Sequence, residues 1–252
     1  MKSGIYKIKN NAPEHVAILG LGPSVGQYLE ITKRLGGRKA FCTETWGINA
    51  IGDVFICDRI FHLDDVRVQQ LRADASPESN IASLLAWVKT HSGPIYTSRK
   101  HRNYPGLVEF PLQDVINSTG FAYFNSTAAY AVAYAIHIGV KRMSLFGMDF
   151  TYPNAHHAEK GRACVEFWLG IAVARGIDVR IPKQSSLMDA CSPMADRLYG
   201  YDCVDVTLRK SEKGMKVSFK EKAPPTAAEI EHRYDHTRHP NQIVSTQQEK
   251  QT

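Results

Sequence analysis

Two adjacent histidines, His156 and His157, follow Asp149 and Tyr152 and stand just ahead of a helical pattern. An imidazole titrates near neutrality, so either ring suits removal of a proton from an acceptor group. A metal site needs further ligands at suitable spacing, and only Glu159 and Asp149 are near. A general base is therefore the stronger reading, and no metal ligand is assigned. A surface or capping histidine is the plainer alternative.

A second chemistry is suggested by V-A-I-L-G-L-G-P-S over residues 16–24, where an apolar run enters a glycine turn. Gly20 ends the run, Gly22 permits a close backbone approach, and Pro23 presets φ for a first helical turn. Ser24 places a hydroxyl beside the open N–H groups of that helix, where an anion such as a phosphate is favoured. Asn125, Ser126 and Thr127 open another helix; they suit a ligand contact or, equally, a simple N-cap contributing about 1 kcal/mol. Asp64 and Asp65 suit a nucleotide or the start of the next helix. Gly147 and Asp149 follow a later strand, and Asn49 follows W-G-I.

The elements that must position these groups alternate strand and helix. Strands are expected over 16–20, 39–43, 53–57 with 60–63, 94–97, 107–110, 140–146 and 177–181. Helices are expected over 24–35, 66–72, 81–89, 126–138 and 158–175, with Gly36, Gly139 and Gly176 as stops. The alanine-rich stretch 126–138 is apolar nearly all round and reads as a buried helix. Short connections between strand, helix and strand predict a single Rossmann-like, three-layer α/β domain with a mainly parallel sheet. Runs 204–208 and 215–219 flank S-E-K-G and predict a small C-terminal hairpin. Residues 1–222 are assigned to the domain and 223–252 to a polar, flexible tail with one short helix near 226–234. In an open parallel sheet, ligands bind beyond the carboxyl ends of the strands, and the polar residues above collect there.

Composition sets the class. The chain has 252 residues, 43% hydrophobic and 22% charged, as in a soluble globular enzyme. Its five cysteines form no C-x-x-C pair, which argues against a disulfide framework or zinc site and for a cytoplasmic setting. No apolar window is long enough for a membrane span, and the N-terminus lacks the apolar core of a signal peptide. A net charge of +6 suits an anionic ligand. The basic run Arg99-Lys100-His101-Arg102 with Tyr104 also permits a nucleic-acid-binding module, although a solvated surface is favoured.

Taken together, V-A-I-L-G-L-G-P-S, W-G-I-N, D-V-F-I-C-D and the stretch 126–150, S-T-A-A-Y-A-V-A-Y-A-I-H-I-G-V-K-R-M-S-L-F-G-M-D-F, resemble bacterial lipooligosaccharide sialyltransferases. They are equally similar to a related superfamily that includes archaeal 6-hydroxymethylpterin diphosphokinases, and small proteins of this sort are known from bacteriophages. The resemblance spans about residues 16–182. It implies a transferase with a nucleotide-activated donor, a hydroxyl acceptor and no required metal. By that resemblance Gly20, Gly22 and Ser24 lie at the nucleotide, Asn49 at the phosphate or sugar, and Ser126-Thr127 at the donor. Tyr152 stabilises the departing phosphate, and His156 or His157 is the base. Leu21 departs from the family's asparagine, Asp58 stands near another asparagine, and a second family tyrosine has no counterpart. The diphosphokinase alternative instead implies Mg²⁺ held against ATP by Asp58, Asp64, Asp65 and Asp149.

Overall fold

A computed structural model describes residues 12–151, 155–192, 197–201, 203–212 and 214–233. In chain order the elements are β1 (His15–Leu19), α1 (Val25–Leu35), α2 (Arg38–Phe41), β2 (Glu44–Ile48), α3 (Ile51–Val54) and β3 (Arg59–Phe61). Next come α4 (Val66–Ala75), α5 (Asn80–Thr90), β4 (Ile95–Thr97), β5 (Leu107–Glu109), α6 (Leu112–Thr119) and α7 (Thr127–Ile138). The chain continues through β6 (Arg142–Phe146), α8 (Ala155–Ala174), β7 (Asp178–Arg180), β8 (Val204–Ser211), β9 (Gly214–Glu221) and α9 (Ala227–Arg233).

Strands β1 to β7 form one parallel sheet in the order β5-β4-β3-β2-β1-β6-β7. The expected Rossmann-like α/β architecture is thus present. Every residue of β1 is buried, as a central parallel strand covered on both faces requires. Its two faces feed different cores. Val16 and Ile18 pack with Trp46, Phe61 and the buried sides of α7 and α8. Ala17 and Leu19 pack with Tyr28 of α1, Ile51 and Phe146, while Ile60 and Ile95 meet α4 and α5. These are the three layers.

The order in which strands are added reverses between β1 and β6, which run parallel. From β1 the sequence steps outward through β2 to β5, then returns to add β6 on the other side of β1. Such a switch point leaves a crevice at the carboxyl ends of the two strands. Helix α7 is held over it by Ser126, whose hydroxyl accepts the Ala129 N–H, and by Gly139 at φ 81°.

Several expectations need correction. The second strand is not 39–43: Arg38–Phe41 is a short helix, and β2 is E-T-W-G-I. Residues 53–57 are not strand either, since Val54 ends α3, Ile56 follows it, both are exposed, and only Arg59–Phe61 pairs. Helix α8 begins at Ala155, so His156 and His157 lie inside its first turn and not ahead of it. Helix α6, unassigned from sequence, runs between Pro111 and a left-handed Gly120. The hairpin β8-β9 is antiparallel as expected, and α9 occupies the predicted stretch of the tail. The remainder of the tail, 234–252, lies outside the described residues. Among the described residues, no helix is long and apolar enough to cross a membrane.

Candidate functional site

The crevice at the switch point is a cavity of about 540 Å³, within the range of small-molecule sites. Gly20, Leu21, Gly22 and Pro23 line it from the loop after β1, and Ile48 and Asn49 from the end of β2. Asp64 enters beyond β3, Asn125 to Ala128 form the start of α7, and Gly147 to Thr151 follow β6. His157 and Gly161 complete it from α8. The structure therefore brings together Gly20, Gly22, Pro23, Asn49, Asp64, Asn125, Ser126, Thr127, Gly147, Asp149 and His157. His156, exposed on the same helical turn, is not among the lining residues. Tyr152 lies outside the described residues.

The loops after β1 and β6 are closed onto each other. Gly20 N–H donates to the Phe146 carbonyl at 2.8 Å, and Gly22 N–H to the Gly147 carbonyl at 2.7 Å. The glycines are required by this contact. A Cβ on Gly20 would lie 2.5 Å from the Gly147 oxygen, and one on Gly22 would lie 2.5 Å from Asp149 Oδ2. The close approach expected at Gly22 is thus made to the protein's own backbone and carboxylate.

Ser24 has the same explanation. Its hydroxyl accepts the Gly147 N–H at 2.8 Å, and its own N–H donates to Asp149 Oδ2 at 2.8 Å. Ser24 is buried behind the cavity wall and its side chain does not cap α1. A carboxylate at a helix N-terminus satisfies both the open N–H and the dipole, so Asp149 occupies the anion position of α1. Asp149 Oδ1 is buried and has no partner among the described residues.

At α7 the situation is reversed. Ser126 is extended (φ −155°, ψ 153°) and caps Ala129, while the N–H groups of Thr127 and Ala128 have no bond to described residues. Both residues line the cavity. Open N–H groups at the positive end of a 12-residue helix favour an anion. The lining includes no lysine or arginine among the described residues; its ionisable side chains are Asp64, Asp149 and His157.

The loop after β6 is fixed from behind. Phe150 holds a left-handed backbone (φ 48°), and its ring lies where a side chain on Gly161 would be, 2.7 Å from that Cβ position. Ser186 donates its hydroxyl to the Asp149 carbonyl. A glycine inside α8 therefore lets the loop seat against the helix that carries His157. Phe150, Gly161, Met148, Ile48 and Ala128 were missed by sequence reasoning because apolar and glycine positions carry no chemical signal.

The carboxylates proposed for Mg²⁺ are not gathered. Asp58 precedes β3, at the amino end of the sheet, and binds Arg38, Lys39 at 3.0 Å and the Thr45 N–H at 2.8 Å. Burial works to raise its carboxyl, but these partners outweigh it and hold the pKa below the ordinary value. Asp65 caps α4 through the Arg67 N–H, and the Arg67 side chain is the main reason its pKa falls to about 2. Only Asp64 and Asp149 remain at the cavity, and no metal-binding group of three or more such side chains exists among the described residues. The residues do not fit a four-carboxylate magnesium site. Tyr104, grouped with the basic loop in the nucleic-acid alternative, is buried with its hydroxyl on Gln70 and offers no open face.

No family model, curated protein or solved structure matches this chain.

Proposed function

We propose that the cavity binds a nucleotide-activated donor and transfers its group, a glycosyl group by preference, to an acceptor hydroxyl. The observation that carries this reading is the meeting of His157 with the open first turn of α7 in one cavity at the switch point. The motif resemblance to sialyltransferases supports the same assignment. In the reaction, the acceptor hydroxyl gives its proton to His157 as its oxygen bonds the donor carbon. The bond from that carbon to the phosphate oxygen breaks, and the nucleotide leaves with the electron pair. The developing negative charge falls to the Thr127 and Ala128 N–H groups.

Charge favours a donor with a single phosphodiester. Among the described residues the lining holds no lysine or arginine, which suits one negative charge on two backbone donors better than the several charges of a triphosphate. The diphosphoryl alternative requires acids at the phosphates, and Asp58 and Asp65 are engaged elsewhere. Thermal unfolding with CMP, CTP and ATP, with Mg²⁺ or with EDTA, tests the choice. Stabilisation by CMP in EDTA is expected. Stabilisation by ATP alone, and only with Mg²⁺, would instead establish the diphosphokinase reading.

A further inference from the structure

His62 stands directly behind two residues of the cavity wall. It is 1% exposed, just beyond β3, and its backbone N–H donates to the Tyr96 carbonyl at 2.8 Å. Its Nδ1 is 3.1 Å from Asn49 Oδ1, and its Nε2 is 2.7 Å from Gln69 Oε1 on α4. Asp64 Oδ2 lies 4.0 Å from the same Nδ1. Asn49 and Asp64 both line the cavity, whereas Gln69 is buried in the helical layer. Asn49 itself is held in a left-handed conformation (φ 53°), with its N–H on the Phe61 carbonyl at 2.8 Å. Asparagine adopts that conformation more readily than most residues, and here it fixes where the side chain leaves the end of β2.

Each ring nitrogen faces a carboxamide oxygen, and the one that carries the proton donates to its partner; a carboxamide that accepts through oxygen turns its NH₂ the other way. The Asp64 carboxylate beside Nδ1 favours the proton there. Gln69 can turn its amide over without altering the cavity, but Asn49 cannot. We infer that His62 is a positioning residue whose Nδ1–H fixes Asn49 with its NH₂ toward the cavity, selecting ligands that present an acceptor oxygen such as a phosphate or carboxylate oxygen. This deepens the donor-binding reading and rests on it for the identity of the ligand, though the orientation of Asn49 stands apart from that reading.

The test separates the two. Long-range ¹H–¹⁵N correlation spectra of the uniformly labelled full chain report each His62 ring nitrogen directly, with no ligand present. A protonated Nδ1 is expected, and a lone pair at Nδ1 overturns the assignment. Asparagine places its amide donor at the Nδ1 position and glutamine places it at Nε2. His62→Asn is therefore expected to bind CMP within about threefold of the wild type, and His62→Gln about tenfold more weakly. Equal CMP affinity in the two variants overturns the inference. If the wild type binds no CMP, the donor reading fails, and the Nδ1 signal alone decides the role of His62.

Discussion

Asp149 accepts the backbone N–H of Ser24 at 2.8 Å, so a carboxylate from the loop after β6 caps the helix after β1. The contact joins residues 125 positions apart and closes the two loops that flank the switch point. Replacing Asp149 with alanine leaves that buried N–H without a partner. A loss of roughly 1–3 kcal/mol is expected, read as a lower urea midpoint with an unchanged slope.

Glycines in and beside these loops differ sharply in what they tolerate. Gly147 has φ 68°, and a Cβ there would lie 2.0 Å from the Gly20 oxygen, whereas Gly26 in α1 has nothing within 4 Å. Gly147→Ala should destabilise by roughly 2–4 kcal/mol through strain and overlap. Gly26→Ala should stabilise by about 0.5–1 kcal/mol through helix propensity. Chemical denaturation of both variants checks the pair. A destabilised Gly26→Ala protein would contradict the open surroundings assigned to that position.

The two histidines of α8 are separable by the same logic. His157 lines the cavity and His156 does not. His157→Ala should lower transfer from an activated donor by roughly 10²–10⁴-fold, while His156→Ala should leave it nearly unchanged. Single-turnover assays of the two variants make the comparison. Equal loss in both would remove His157 from the role of base.

His15 sets an acid limit on stability. Burial, chiefly, lowers its pKa below 6.5, although the hydrogen bond to the Phe41 carbonyl opposes the shift. Between the folded and unfolded values the unfolded chain binds more protons, so stability rises with pH. The contribution is complete above the unfolded value and is lost as pH falls from about 6.5 through the folded pKa. Urea midpoints measured from pH 7 to 5 should therefore fall, with a shallower fall in His15→Gln.

Much of this was legible in the chain, and the reasons for the rest are local. The strand at β1 and helices α1 and α7 carry strong apolar patterns and clear glycine stops, so their places were readable. Strand β2 was hidden because E-T-W-G-I begins with an acid and contains Gly47. That glycine is needed where a Cβ would meet Cys57 Sγ at 2.9 Å, a contact the sequence does not disclose. The run D-V-F-I-C misled in the opposite sense, since its apolar Val54 and Ile56 face solvent. At the site, residue types and rim placement identified most of the wall. They could not reveal that Ser24 and Gly22 meet Gly147 and Asp149, a long-range pairing that moves the open anion position from α1 to α7.

On the proposed function, the ligand's anion rests on the first turn of α7. Thr127 is the first residue of that helix, its N–H has no bond to described residues, and the preceding Ser126 is already extended. Proline is compatible with this position and with that neighbour, so Thr127→Pro removes the N–H while keeping the helix. Calorimetric titration of CMP in EDTA, comparing Thr127→Pro with Thr127→Ala, isolates the backbone donor from the hydroxyl. That placement predicts about tenfold weaker binding in the proline variant at comparable thermal stability. Equal affinity in the two variants would contradict it.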